Sequence, residues 1–188
     1  MQLTKLGKIV VALGAACIIL AGWKAFGAYK REKAMENRTY KAVEHVKLSK
    51  EKEQEIEMNY TDESAVIDIV HKQFNEMLGW GRYTYFDDEE KWKNEKENLK
   101  FIYEIVERSK NDAATNENMR KDFGNILKLI NKAVENRDVD GLIYAHRIIH
   151  DLDHEENGHV APDVQVFGYS IYCNGNETEE VYDYLKEN

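Results

Sequence analysis

Apolar residues recur at three- and four-residue spacing in four stretches of this 188-residue chain, and each stretch is bounded by residues that start or break helices. In the first, opening near Asp62, the residues Val66, Ile69, Val70, Phe74, Met77 and Leu78 share one side of a helix until Gly79-Trp80-Gly81 interrupts the pattern. The second opens near Asp87, with Glu90 three residues on as a capping box. It carries Trp92, Leu99, Ile102, Tyr103 and Val106, and a polar stretch at residues 111–116 closes it. Met119, Phe123, Ile126, Leu127, Ile130 and Val134 form the third stripe. Asp138 or Asp140 then starts a fourth, with Leu142, Ala145, Ile148, Ile149 and Leu152 facing inward. Four such helices with short connections satisfy one another as an antiparallel bundle.

Beyond Asn157-Gly158, which reads as a helix C-cap, the period changes. Residues 164–173 are rich in Val, Phe, Tyr and Ile and end at Asn174-Gly175, which predicts an extended segment or a small hairpin. A last short helix follows near residues 177–185. The predicted class is therefore all-α, with residues 61–188 forming a small four-helix domain that ends in a short extended or hairpin segment.

Two different patterns precede that domain. Residues 30–60 alternate Lys, Arg and Glu around scattered apolar residues such as Met35, Val43, Val46 and Ile56, too few to make a core face, so they read as a charged, solvated helical stalk. Residues 9–23 are uncharged and apolar, and with Lys24 snorkelling the run continues to Ala28. At 1.5 Å per residue it is roughly 27–30 Å long, close to the hydrocarbon thickness of a bilayer. Residues 1–29 thus predict a transmembrane helix, with Trp23 and Tyr29 in the aromatic belt. The competing reading is a cleaved signal peptide, for which Ala25-Phe26-Gly27 is a poor cleavage site. Lys24, Lys30, Arg31 and Lys33 outnumber Lys5 and Lys8, which by a plain count holds the C-terminal side in the cytoplasm. A very short basic N-terminus before an apolar run is, however, the pattern of an uncleaved signal anchor. The expectation taken is a single-pass cell-membrane protein with an extracytoplasmic soluble domain.

Charge narrows the partners. The formal net charge is -9, and from residue 138 onward only Arg147 and Lys186 are basic besides histidine, among a dozen carboxylates. Nucleic acid is disfavoured as a partner, because phosphate binding needs a clustered basic surface. Cys17 and Cys173 give no disulfide framework.

The densest chemistry is His146-Arg-Ile-Ile-His150-Asp-Leu-Asp153-His154-Glu-Glu-Asn-Gly-His159. His146, His150 and His154 recur every fourth residue, a ridge whose imidazoles suit zinc or another divalent transition metal, with Asp151 or Asp153 as an oxygen ligand. The bland alternative is that they border the core and bind nothing. Arg147 stands where a zincin carries its general-base glutamate. Counted from Asp153, the residues Glu155, Asn157, Gly158 and Val160 partly imitate a calcium loop, but the twelfth place is Val164 where a bidentate glutamate belongs. Trp80, Tyr83, Tyr85 and Phe86 suit stacking on sugars or docking a partner, but a loop folded over the bundle end needs the same residues, and that is the favoured reading. Cys173 lacks an activating neighbour in sequence, and no phosphate loop or nucleophile elbow is present.

Val66-Ile-Asp-Ile-Val-His71, Ile102-Tyr-Glu-Ile-Val-Glu107 and Ala145-His-Arg-Ile-Ile-His-Asp-Leu-Asp153 follow an apolar anchor and a charged stalk. With that order of segments, the chain resembles short uncharacterised membrane-anchored proteins of Gram-positive, Bacillus-type bacteria. It implies a setting and no mechanism. The resulting expectation is a membrane-anchored, non-enzymatic binding or accessory module with a protein or envelope partner and no cofactor. The alternative is a divalent-metal-binding protein or metal-dependent hydrolase using His146, His150, Asp153 and His154.

Overall fold

The computed structural model describes residues 45–158 and 166–186. Among these are seven α-helices and no β-strand: α1 Lys50–Asn59, α2 Glu63–Leu78, α3 Glu89–Asn94, α4 Lys96–Asp112, α5 Glu117–Asn136, α6 Val139–Asn157 and α7 Thr178–Lys186. No helix among the described residues is long and apolar enough to cross a membrane. The predicted anchor at residues 9–28 lies outside them, as does the stalk up to residue 44.

The helix boundaries follow from caps that the sequence announces. Asp62 accepts from the backbone N–H of Ala65 and starts α2; Asn116 accepts from Asn118 and Met119 and starts α5; Asp138 accepts from Asp140 and starts α6. Gly158, at φ 61°, ends α6 in the left-handed conformation that suits a glycine C-cap. The second predicted helix divides. Its cap is Asp88, which accepts from Glu90 N–H, and at Glu95 (φ -89°, ψ -1°) the chain turns from α3 into α4. The Glu95 carboxylate accepts there from both Lys91 and Asn98.

α2, α4, α5 and α6 pack in a ring, α2 against α4 and α6, and α5 against α4 and α6, so the four-helix core is as expected. All five apolar residues predicted to face inward from α6 are buried. So are Ile67, Phe101 and Ile105, which the stripes omit. α6 comes close to α5 and α7 at Gly141, where a Cβ would stand 2.9 Å from both the Leu129 carbonyl oxygen and the Ala133 Cβ of α5, and 2.7 Å from the Tyr184 hydroxyl of α7. Only glycine fits there.

Two further features extend or correct the reading from sequence. α1, inside the predicted stalk, packs on α4: Leu48 and Ile56 are buried, Ser49 N–H donates to Glu97, and Arg108 makes a two-pronged ion pair with Glu57 while lying 4.0 Å above the Tyr60 ring. Two apolar anchors and matched charges thus replace the wide apolar face that this segment lacks.

The C-terminal segment turns back as a hairpin does, with Gly175 N–H on Ser170 O and Glu177 N–H on Gly168 O. Its described residues are nevertheless not a strand pair. The N–H groups of Phe167, Tyr169 and Ser170 donate to Asp151, and those of Ile171 and Tyr172 to Asp122. Two buried carboxylates on α6 and α5 take the donors that a second strand would have used.

Candidate functional site

The polar residues between α2 and α6 form one continuous seam. The two helices run antiparallel along it, so that Ser64 meets Asn157, His71 meets Asp153 and His150, and Asn75 meets His146. On α6 the seam takes positions 146, 150, 153 and 157, alternating four- and three-residue steps. That alternation stays on one side of a 3.6-residue helix, whereas strict fourth-residue spacing drifts about 40° per step and puts position 154 roughly 80° from 146. The structure accordingly separates His154 from the others: it is half-buried and enters none of the seam's contacts. The residue that completes the group is His71, from α2, eighty-two positions before Asp153.

The contacts are directional. Asp153, almost fully buried, accepts from His71 Nδ1 at 2.8 Å through Oδ2 and from the Asn157 amide at 2.7 Å through Oδ1. His71 Nε2 lies 3.1 Å from Asn75 Nδ2, and Asn75 Oδ1 lies 2.9 Å from His146 Nε2. The His71 ring stands 5.6 Å from that of His146 and 5.1 Å, edge-on, from that of His150, while His146 stacks on Phe74 at 5.9 Å. Burial, reinforced by the neighbouring His71, His150 and Arg147, pushes His146 down to about 3, so it is neutral at physiological pH.

His150 is buried with no hydrogen-bond partner for Nδ1. Asp151 Oδ1 is 3.9 Å from it, beyond hydrogen-bond reach, so the three backbone N–H groups are what hold that carboxylate. Asp151 is thus a clamp for the C-terminal loop, with the His150 imidazole beside it. Among the described residues, no three His, Cys, Asp or Glu side chains are gathered to hold a metal ion. Three described members of the calcium-loop imitation have other roles, since Asp153 and Asn157 bond to His71 and Ser64 and Gly158 caps α6; positions 159–165 lie outside the described residues. Cys173 donates to the Asp151 carbonyl oxygen, and burial pushes its thiol up to about 11, which keeps it protonated and unreactive.

The second candidate surface is the loop Gly79–Asp87, built of 3-10 turns interrupted where Trp80 (φ 58°) and Gly81 (φ 80°) take left-handed conformations. Both ends are fixed. Arg82 donates to the Glu76 carbonyl oxygen and Thr84 to that of Gly81, while Phe86 is buried edge-on against Trp92, whose indole N–H donates to Phe86 O at 2.8 Å. Phe86 alone folds over the bundle as composition suggested. Trp80 is 97% exposed, Tyr85 62% and Tyr83 45%, so the other three aromatics stand in solvent on a pinned scaffold. Tyr85 lines a shallow groove with Asp87, Asp88, Glu90 and Lys91, the last paired with Glu95.

Compared with known protein families, curated proteins and solved structures, the chain matches none.

Proposed function

We propose that this chain is a membrane-attached, non-enzymatic binding module that recognises a basic segment of a partner protein through the loop Gly79–Asp87. The observation that carries the reading is Trp80: a bulky residue in a left-handed conformation costs on the order of 1 kcal/mol, and the loop spends that cost to hold an indole in water. Strain maintained at an exposed aromatic is characteristic of contact surfaces. Tyr83 and Tyr85 widen the aromatic surface, and Asp87, Asp88 and Glu90 outnumber Lys91, itself paired with Glu95, so the charge beside it is net negative. Aromatic faces flanked by carboxylates suit lysine and arginine side chains, through cation–π contact and long-range attraction.

Attachment to the cell membrane rests on the apolar run at residues 9–23, and an extracytoplasmic domain on the signal-anchor pattern before it.

The test uses the full chain in detergent micelles and a fluorescently labelled ten-residue Lys/Arg peptide, with an acidic peptide and anionic vesicles as comparators. The expected result is saturable, salt-sensitive binding of the basic peptide that weakens about tenfold in Trp80→Ala, of the order expected for a largely desolvated cation–π contact. Binding that ignores Trp80→Ala, or a preference for vesicles or for the acidic peptide, overturns the reading. So does turnover of any substrate that is abolished by changing His71 or His146.

A further inference from the structure

We propose that His71 and His146 form a two-imidazole site for a borderline divalent metal ion such as zinc, in which the Asn75 amide occupies the metal's place when the ion is absent. This site differs from the fourth-residue ridge of α6, because its two ligands come from different helices and His154 takes no part.

Three features of the geometry point this way. First, both Nε2 atoms converge on one side chain, His71 on Asn75 Nδ2 and His146 on Asn75 Oδ1. Second, the spacing fits. With a metal about 2.0–2.1 Å from each Nε2, two imidazole centroids on one tetrahedral ion stand roughly 5–6 Å apart, and the two rings here are 5.6 Å apart. Third, Asp153 holds His71 by Nδ1, which fixes the ring and leaves the Nε2 lone pair outward, the carboxylate–histidine arrangement that orients metal ligands.

Asn75 is exposed, so its amide can swing into solvent, and water can fill the remaining coordination positions. His71 already presents an unprotonated Nε2 when Nδ1 donates to Asp153. His146 donates from Nε2 to Asn75, so binding transfers its proton to Nδ1 and the ring remains neutral. Imidazole pairs of this kind select zinc, nickel or copper over magnesium or calcium.

The test is titration of the metal-free full chain, in detergent, with Co2+ followed by visible absorption, then displacement by Zn2+. One equivalent per chain is expected, with Zn2+ bleaching the signal. His71→Ala and His146→Ala should each raise the dissociation constant at least tenfold; Asp153 acts as a positioning residue, and Asp153→Asn should raise it about 10–100-fold. Asn75→Ala should bind at least as tightly as wild type, since it removes the competing amide, a result that a merely structural role for Asn75 does not give. If His71→Ala loses its helical circular dichroism, His71→Gln replaces it. No stoichiometric uptake by wild type, uptake unchanged in both histidine variants, or uptake lost in His154→Ala overturns the proposal.

Discussion

The same substitution at the two carboxylates that clamp the C-terminal loop should have opposite consequences. Asp151 and Asp122 are both buried and each accepts three hydrogen bonds: Asp151 from the N–H groups of Phe167, Tyr169 and Ser170, and Asp122 from Ile171 and Tyr172 N–H and the Ser170 hydroxyl. Their balances differ. At Asp151 burial pushes the carboxyl up, but the neighbouring His150 imidazole and the N–H groups of Phe167, Tyr169 and Ser170 together outweigh burial and hold it below the usual carboxylate range. At Asp122 burial wins over the bonds from Tyr172, Ile171 and Ser170, and with the nearby Asp151 charge it pushes the group from 3.8 up to about 6. Asp151→Asn removes a charge that the fold favours and turns an amide N–H toward backbone donors. One charge-assisted bond lost and the others weakened amount to about 3 kcal/mol, or about 10 °C in Tm for a domain of this size. Asp122→Asn removes a charge that the fold disfavours. The shift from 3.8 to about 6 corresponds to about 3 kcal/mol of penalty at pH 7.5, which offsets the weakened bonds and leaves stability within about 1 kcal/mol of wild type. Thermal unfolding of the two variants at pH 7.5, followed by circular dichroism at 222 nm, separates the cases. Equal losses, or a larger loss at Asp122, would refute the reasoning.

Other outcomes follow from the same contacts. His146, lowered from 6.5 to about 3, contributes stability that is present above pH 6.5 and lost as pH falls toward 3. Asp122, raised to about 6, contributes stability that is present below pH 3.8 and lost as pH rises through 6. The two slopes oppose each other between pH 4 and 6, so urea midpoints across that range should rise with pH in Asp122→Asn and fall with pH in His146→Phe relative to wild type; parallel curves would contradict the assignment. Gly141→Ala should lose about 1–3 kcal/mol by urea unfolding, because its Cβ meets the Leu129 carbonyl and Tyr184 hydroxyl below 3.0 Å. Trp80→Gly should leave the melting temperature unchanged or raise it slightly, since the indole is in solvent and the left-handed conformation then costs nothing; a fall of several degrees would show that Trp80 serves the fold.

Much of the bundle was legible because its information is local. Asp62, Asp138 and Asn157-Gly158 act within one turn of themselves, and the stripes from Val66 to Leu78 and from Leu142 to Leu152 repeat at the helical period. The break at Glu95 was not legible, since the apolar spacing runs across it and only a local twist of the backbone turns Trp92 toward Phe86. The packing of α1 was hidden because it depends on Leu48, Ile56 and charges paired with α4, about fifty residues away. The histidine group was half legible. His146, His150 and Asp153 stand on one seam, but regular fourth-residue spacing drew in His154 and gave no sign of His71, whose place depends on how α2 lies against α6. The alternation of 146, 150, 153 and 157 was the available signal. Composition also could not separate Phe86 from Trp80, Tyr83 and Tyr85, because which aromatic turns inward is decided by the backbone reversal at Trp80-Gly81.

The most direct test of the loop as a contact surface is a two-dimensional 15N–1H spectrum of the indole region during titration with the ten-residue Lys/Arg peptide. Trp80 is exposed, whereas the Trp92 indole is buried with its N–H on Phe86 O, so each chain carries its own control. The expected result is a progressive, saturable shift of the Trp80 indole resonance with that of Trp92 unmoved. A Trp80 resonance that stays fixed while the peptide binds, or one that moves only together with Trp92, contradicts the account.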